Sequence, residues 1–211
     1  MKLINSNNKS IFNSVPRAII FLLLIIIIID LTFLIAGNEL RYLAVKYFGF
    51  WPNIVNKEKS ELYKGQEILM FASYFFLHND LSHMALNATV LLALGGYISE
   101  NEGHLTVAVV FCTSVLSGAF LYLALGFSDT PVIGSSGAVF GCLGFWKGKE
   151  FLFRRKVGSR ILPVVQFVLI LSLIDIILNF ILGGILAWEV HLGGFISGWF
   201  LATVKYVRFR Y

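Results

Sequence analysis

Charged residues are scarce in this chain of 211: Asp, Glu, Lys and Arg together make up 14%. Soluble domains carry roughly a quarter, so a surface facing water on all sides is excluded. Hydrophobic residues reach 57%, and the class is an integral membrane protein. Cysteine is rarer still. Cys112 and Cys142 each lie inside an apolar run, and they read as small buried hydrophobes rather than a disulfide or a metal site. No HExxH pattern occurs, which counts against a zinc protease of that type. His78 and His83 are also five apart and off one helical face, so a metal protease using them with His191 is disfavoured. The chain shows no internal repeat, which counts against a transporter built from two corresponding halves. It shows no nucleic-acid motif either. The expectation is no cofactor, no metal and no nucleic-acid partner.

What is present is a series of apolar runs. A helix needs roughly 20 apolar residues to cross a bilayer. Ala18 to Ala36 is the first such run, broken only by Asp30 and Thr32. No A-x-A cleavage pattern follows it, so it is expected to be a transmembrane helix rather than a signal peptide. Residues 37–82 mix charges with Tyr, Trp and Phe, the composition of a structured element lying partly in the membrane surface. The second helix is expected from about Ser82 to Ser99, and the third from Leu105 to Leu125. The fourth should start near Ser136 and end at about Trp146, before a basic loop from Lys147 to Arg160. The fifth runs from Ile161 to about Leu182, broken by Gly183-Gly184, and the sixth from about Trp188 to Val204.

Six spans put both termini on one side. Three Lys and Arg residues then fall in the N-terminal tail, six in the loop after helix four and three, Lys205, Arg208 and Arg210, at the C-terminal end. The remaining five of 17 lie in the 37–82 connection. The positive-inside rule places the larger set in the cytoplasm. The expected organisation is a cytoplasmic tail over residues 1–17, one membrane domain over 18–205 and a cytoplasmic tail over 206–211.

In this topology helices two, four and six all start at the outer side and run parallel. Each carries polar residues in its first turns: His83 and Asn87 on two, Ser136 on four, His191 on six. At about 1.5 Å rise per residue they lie at similar depth. Gly137, Gly141 and Gly144 on helix four match Gly193, Gly194 and Gly198 on helix six. Small residues at such spacing let helix backbones approach closely, so Ser136 and His191 can meet. The bland reading is a packing motif with an incidental serine. Polar groups at one depth on three parallel helices favour a functional site. Serine needs a base, and histidine is the usual one. Neutral His83 and the Asn87 amide could donate to an oxyanion.

These residues resemble the rhomboid family of intramembrane serine proteases. The GxSG motif is Gly134-Ser135-Ser136-Gly137, the HxxxxHxxxN motif is His78, His83 and Asn87, and the last-helix motif is His191-Leu192-Gly193-Gly194 with Gly198. The resemblance covers roughly residues 18–205. It implies an all-α, six-transmembrane-helix bundle acting as a serine endopeptidase on single-pass or multi-pass membrane proteins within the lipid bilayer. By it, Ser136 is the nucleophile and His191 the base of a Ser-His dyad. His83, Asn87 and the Ser136 N–H form the oxyanion hole, and His78 supports the site and its water supply. Phe140 replaces the family's common tyrosine, keeping the ring that stacks on the catalytic histidine. Leu69-Met70 replaces a common Trp-Arg pair. The expected location is a bacterial cytoplasmic membrane. The nearest rival is a catalytically silent rhomboid-like protein that binds clients without cutting them. Asp175, inside the fifth helix, is expected to have a structural or water-retaining role. The alternative is that it orients His191, because the two residues can share a depth.

Overall fold

In a bilayer every backbone amide must find its partner within the protein, and a chain with this many apolar runs answers with helices. The computed structural model describes residues 15–126, 130–183 and 186–208. Its helices are α1 (Arg17–Ala36), α2 (Asn38–Phe48), α3 (Pro52–Val55), α4 (Gln66–Ser73), α5 (Leu81–Glu102), α6 (His104–Leu125), α7 (Ser136–Lys156), α8 (Leu162–Ile181) and α9 (Trp188–Arg208), with a 3-10 turn at Tyr74–Phe76. Among the described residues there is no strand, only an antiparallel bridge between Phe50 and Val132. The protein is all-α. The expected tails fall largely outside the described residues, although the C-terminal one begins inside α9. Gly184 and residues 127–129 also lie outside them.

Four helices, α1, α5, α6 and α8, are long and apolar enough to cross a membrane by length and composition. Helices α7 and α9 are 21 residues each but more polar. The difference has a physical reason. Apolarity is demanded by lipid, and α7 stands inside the bundle with its glycines, Ala138, Cys142 and Phe145 buried. Helix α8 is the opposite case: Val164 is its one buried residue, so its apolar surface faces outward on nearly all sides.

The fourth helix outruns the expectation by ten residues, ending at Lys156 rather than near Trp146. The charges expected to form a loop find partners on the helix instead. Glu150 takes Lys147 and Arg154, each at 2.8 Å, and Lys149 reaches Glu102 at 2.9 Å. Lys147 also lies over the Trp146 and Phe167 rings, 3.8 and 4.3 Å from their centroids. Arg154, Arg155 and Lys156 fill the last turn, where cations complement the helix dipole. Glu102, which also holds Lys205 at 3.0 Å, likewise carries α5 past Ser99.

Residues 37–82 form a docked scaffold of short helices. Gln66 is fully buried, with its amide bonded to the Lys46 and Tyr47 carbonyls and its oxygen accepting from Leu62 N–H. Ser73 bonds to Phe48 O at 2.7 Å. Met70 is fully buried, and its sulfur accepts from Trp51 N–H.

Candidate active site

The site is built where α5, α7 and α9 begin. Val132 pairs both its backbone groups with Phe50 at 2.9 Å, and Gly134 N–H donates to Tyr74 O at 3.1 Å. The Tyr74 hydroxyl in turn donates to Val115 O at 2.8 Å on α6. The loop before the serines is thus pinned on the scaffold. Gly134 then turns with φ +115°, a conformation that favours glycine. Ser135 occupies the N-cap of α7, and Ser136 is its first residue.

Glycine decides how close α7 and α9 come. A Cβ on Gly194 would lie 2.0 Å from Gly137 O, one on Gly198 1.9 Å from Gly141 O, and one on Gly144 2.1 Å from Phe195 O. From Gly137 against Val190 to Gly148 against Trp199 and Ala202 the residue numbers rise together, so the two helices are parallel, as the sequence implied. Gly193 and Gly118 meet against α6 in the opposite sense, which makes α6 antiparallel to α9.

This approach brings Ser136 and His191 together. His191 Nε2 is 3.0 Å from Ser136 Oγ, and His191 Nδ1 is 2.7 Å from Asp175 Oδ1 on α8. A carboxylate oxygen at this distance can accept from an Nδ1–H, and in that tautomer the lone pair of Nε2 faces the serine. That arrangement lets the imidazole take a hydroxyl proton. Phe140, one turn after Ser136, stacks on the His191 ring with centroids 4.1 Å apart and planes 4° apart. Asp175 thus faces the His191 ring across the gap between α8 and α9.

Helix α5 is started by Asp80, whose carboxylate accepts from His83 N–H at 2.8 Å. Bonds from the Ser82 hydroxyl and then the His83 amide hold the Asp80 carboxyl below its usual range. His83 shares a cleft of about 350 Å³ with Ser136 and His191. A Cβ on Gly134 would meet His83 Cε1 at 2.9 Å and Nε2 at 3.2 Å, and would lie 3.9 Å from Asn87 Nδ2. The bare glycine thus keeps a cradle open beside both side chains. Asn87 Nδ2 is buried and has no hydrogen-bond partner among the described residues. An unmet buried donor costs about 1–3 kcal/mol, which suits a group kept ready for an acceptor.

His78 is fully buried. Its Nε2 accepts from Ser135 N–H at 3.3 Å and lies 3.2 Å from Ser135 Oγ. Its Nδ1 faces Asp30 Oδ2 at 3.1 Å, and its ring meets His83 edge-on with centroids 5.1 Å apart. A second Asp–His–Ser chain thus runs beside the first, closed to solvent. Sequence reading noted Asp30 only as an interruption and did not link it to His78. The signal was the same as for Asp175: one acid in an apolar run. Both ring nitrogens of His78 and of His191 face these partners, so the two do not converge as metal ligands.

A second cavity of about 630 Å³ lies between α8 and the bundle, lined by Phe140, Leu171, Asp175, His191, Phe195 and others. It approaches the same histidine from the side of the apolar helix.

Comparison with known proteins supplies the family. The chain is 29% identical to RHOMBOID-like protein 4 of Arabidopsis thaliana over 150 residues, 70% of this chain and 36% of that protein. It is 27% identical to the Rhomboid protease GluP of Bacillus subtilis (strain 168) over 131 residues, 60% of this chain and 24% of that one. Over 83 residues, 39% of this chain and 23% of the relative, it is 31% identical to Inactive RHOMBOID-like protein 8 of Arabidopsis thaliana. The chain thus spans well under two thirds of the length of these relatives. The Rhomboid domain profile matches residues 65–208, more than half of the chain, and it covers all of the α5, α7 and α9 residues that form the site. With four helices apolar enough to span, this chain is a multi-pass integral membrane protein and belongs to the rhomboid family.

Proposed function

We propose that the chain is an intramembrane serine endopeptidase. It cuts single-pass or multi-pass membrane proteins near the outer end of a transmembrane helix, and works with six spans and both termini in the cytoplasm. The observation that carries this reading is the Ser136 Oγ–His191 Nε2 contact of 3.0 Å at the floor of a cleft. Ser136 Oγ attacks the scissile carbonyl carbon as its proton passes to His191 Nε2, and the carbonyl electron pair moves onto oxygen. His83, the Asn87 amide and the Ser136 N–H hold that oxyanion. The intermediate collapses to an acyl-serine, and the leaving amine takes the proton from Nε2. Water then gives a proton to Nε2 and attacks the acyl carbon. Release of the acid returns the proton to Ser136 Oγ. Every step uses side chains of this protein, with no cofactor or metal. His78 and Gly134 hold the loop and the cradle, and Gly137 and Gly194 hold the helix seam. The substrate segment reaches the site past α8 and unwinds locally, so glycine or another helix breaker near the cut is expected.

The test is cleavage of a single-pass substrate with a glycine-containing outer end, reconstituted with the wild-type chain and mapped by mass spectrometry. A cut within the span, persisting in chelator, supports the reading. Binding of the substrate without any cut favours the silent alternative; one relative's name carries the word inactive.

Two variants probe the assigned roles. Asn87→Ala should lower kcat by about 10²–10³, the usual cost of one oxyanion donor, and an unchanged kcat removes Asn87 from the hole. Phe140→Ala should cut kcat/KM by about tenfold, because a stacked ring contributes about 0.5–1.5 kcal/mol to holding the imidazole. Phe140→Tyr, which keeps the ring, should stay near wild type. Equal kinetics of the two variants count against a positioning role for the stack.

A further inference from the structure

We propose that Asp175 is a positioning residue that completes a Ser136–His191–Asp175 triad. The inference rests on the protease reading and deepens it. Three observations carry it. First, the carboxylate and the imidazole are 2.7 Å apart, in the range of charge-assisted hydrogen bonds, and the next link to Ser136 is 3.0 Å. The three groups form one continuous chain. Second, the pair is nearly dry: the side chains of His191 and Asp175 are 9% and 15% exposed. An acid in a helix that faces lipid is costly, and the contact with His191 offsets that cost. Third, a structural role is weakly supported by packing. Val164, at the far end of α8, is that helix's one buried residue. The other side-chain tie on this part of α8, Asn179 Oδ1 accepting from Leu186 N–H at 3.2 Å, fastens only the adjoining turn.

The chemistry follows from the geometry. An unaided imidazole can carry its proton on either nitrogen and can rotate about its bond to Cβ. Asp175 selects the form with the proton on Nδ1, which leaves Nε2 free to receive the serine proton. It also stabilises the imidazolium that forms, without itself taking a proton. Phe140 fixes the plane of the ring, and Asp175 fixes its rotation within that plane. The two restraints come from different helices.

The test combines kinetics with a spectrum. Asp175→Asn should lower kcat on the order of 10⁴-fold, as amidation of a triad aspartate does, with KM within about threefold. A loss below 100-fold per folded molecule overturns the triad. A purely structural role would lower the yield of folded protein and leave kcat per folded molecule alone. The spectrum is ¹⁵N NMR of histidine-labelled protein, with His191 assigned by the signal lost in His191→Ala. Wild type should show the Nδ1–H form of His191, and the Nε2–H form overturns the proposal even where Asp175→Asn does not fold. If wild type cuts but Asp175→Asn is nearly as fast, this inference alone falls. If wild type never cuts, the protease reading falls, and the triad with it.

Discussion

Ser136→Ala is expected to reduce cleavage below detection while leaving the protein folded. Removing the nucleophile of a serine protease costs on the order of 10⁶ in kcat, more than most membrane-protease assays can follow. The structural cost is small. Ser136 is the first residue of α7, one position inside the N-cap, and its hydroxyl lies against His191. The substitution deletes the contact with His191, a loss of about 1 kcal/mol for a typical hydrogen bond. Thermal unfolding in detergent should therefore move by only a few degrees. Ser135→Ala is the control, since the two serines are adjacent and chemically identical. The Ser135 hydroxyl faces buried His78, and its backbone N–H keeps a bond to the same ring nitrogen. Activity should stay within about tenfold of wild type, since one neutral hydrogen bond contributes about 1 kcal/mol. An essential Ser135 with a dispensable Ser136 would show that the motif has been placed one residue out.

The second large effect is expected at the seam between α7 and α9. Gly194→Ala adds one methyl group, 2.0 Å from the Gly137 carbonyl oxygen. That neighbour is backbone and cannot swing aside, so the helices must part. Overpacking of a rigid site costs about 1–3 kcal/mol and occasionally more, and this contact belongs at the upper end. Activity should fall further than stability. Ser136 and His191 sit in the first turns of the two helices that separate, and a displacement of about 1 Å can cost roughly 10² in rate. Gly95→Ala is the counter-case. Its Cβ would meet Val107 at 3.6 Å, an ordinary contact, and alanine is the better helix former by about 1 kcal/mol. That variant should be as stable as wild type or more so. Similar unfolding temperatures for the two variants would mean that the close approach does not support the fold.

Much of this was legible because a membrane simplifies the code. Lipid demands apolar length, so the runs at 18–36 and 161–182 announced α1 and α8 within a residue or so of their ends. It also makes polar residues conspicuous, which singled out His83, Asn87, Ser136, Asp175 and His191 from the sequence. The end of α7 was missed for the same reason. Lys147 to Lys156 looked like a loop because nothing local shows that Glu150 and Glu102 will take their charges. The scaffold over residues 37–82 was recognised as an interfacial element, but its bonds to the serine loop, through Phe50 and Tyr74, join residues far apart in the chain.

The sequence by itself determined the all-α membrane class, the order of the long helices, and which polar residues stand at one depth on which helix. Those properties follow from composition and from a fixed rise per residue. Tertiary structure alone decided the partnerships at that depth. Spacing put Asp175 and His191 at the same level, but not on facing sides of their helices. It put Asp30 in α1 with no indication that His78 would turn toward it. Rotation of one helix about its axis against another is set by side chains meeting across the bundle, here by glycines that bring α7 and α9 into backbone contact. Periodicity along one helix carries no information about that rotation, and the two Asp–His–Ser chains depend on it.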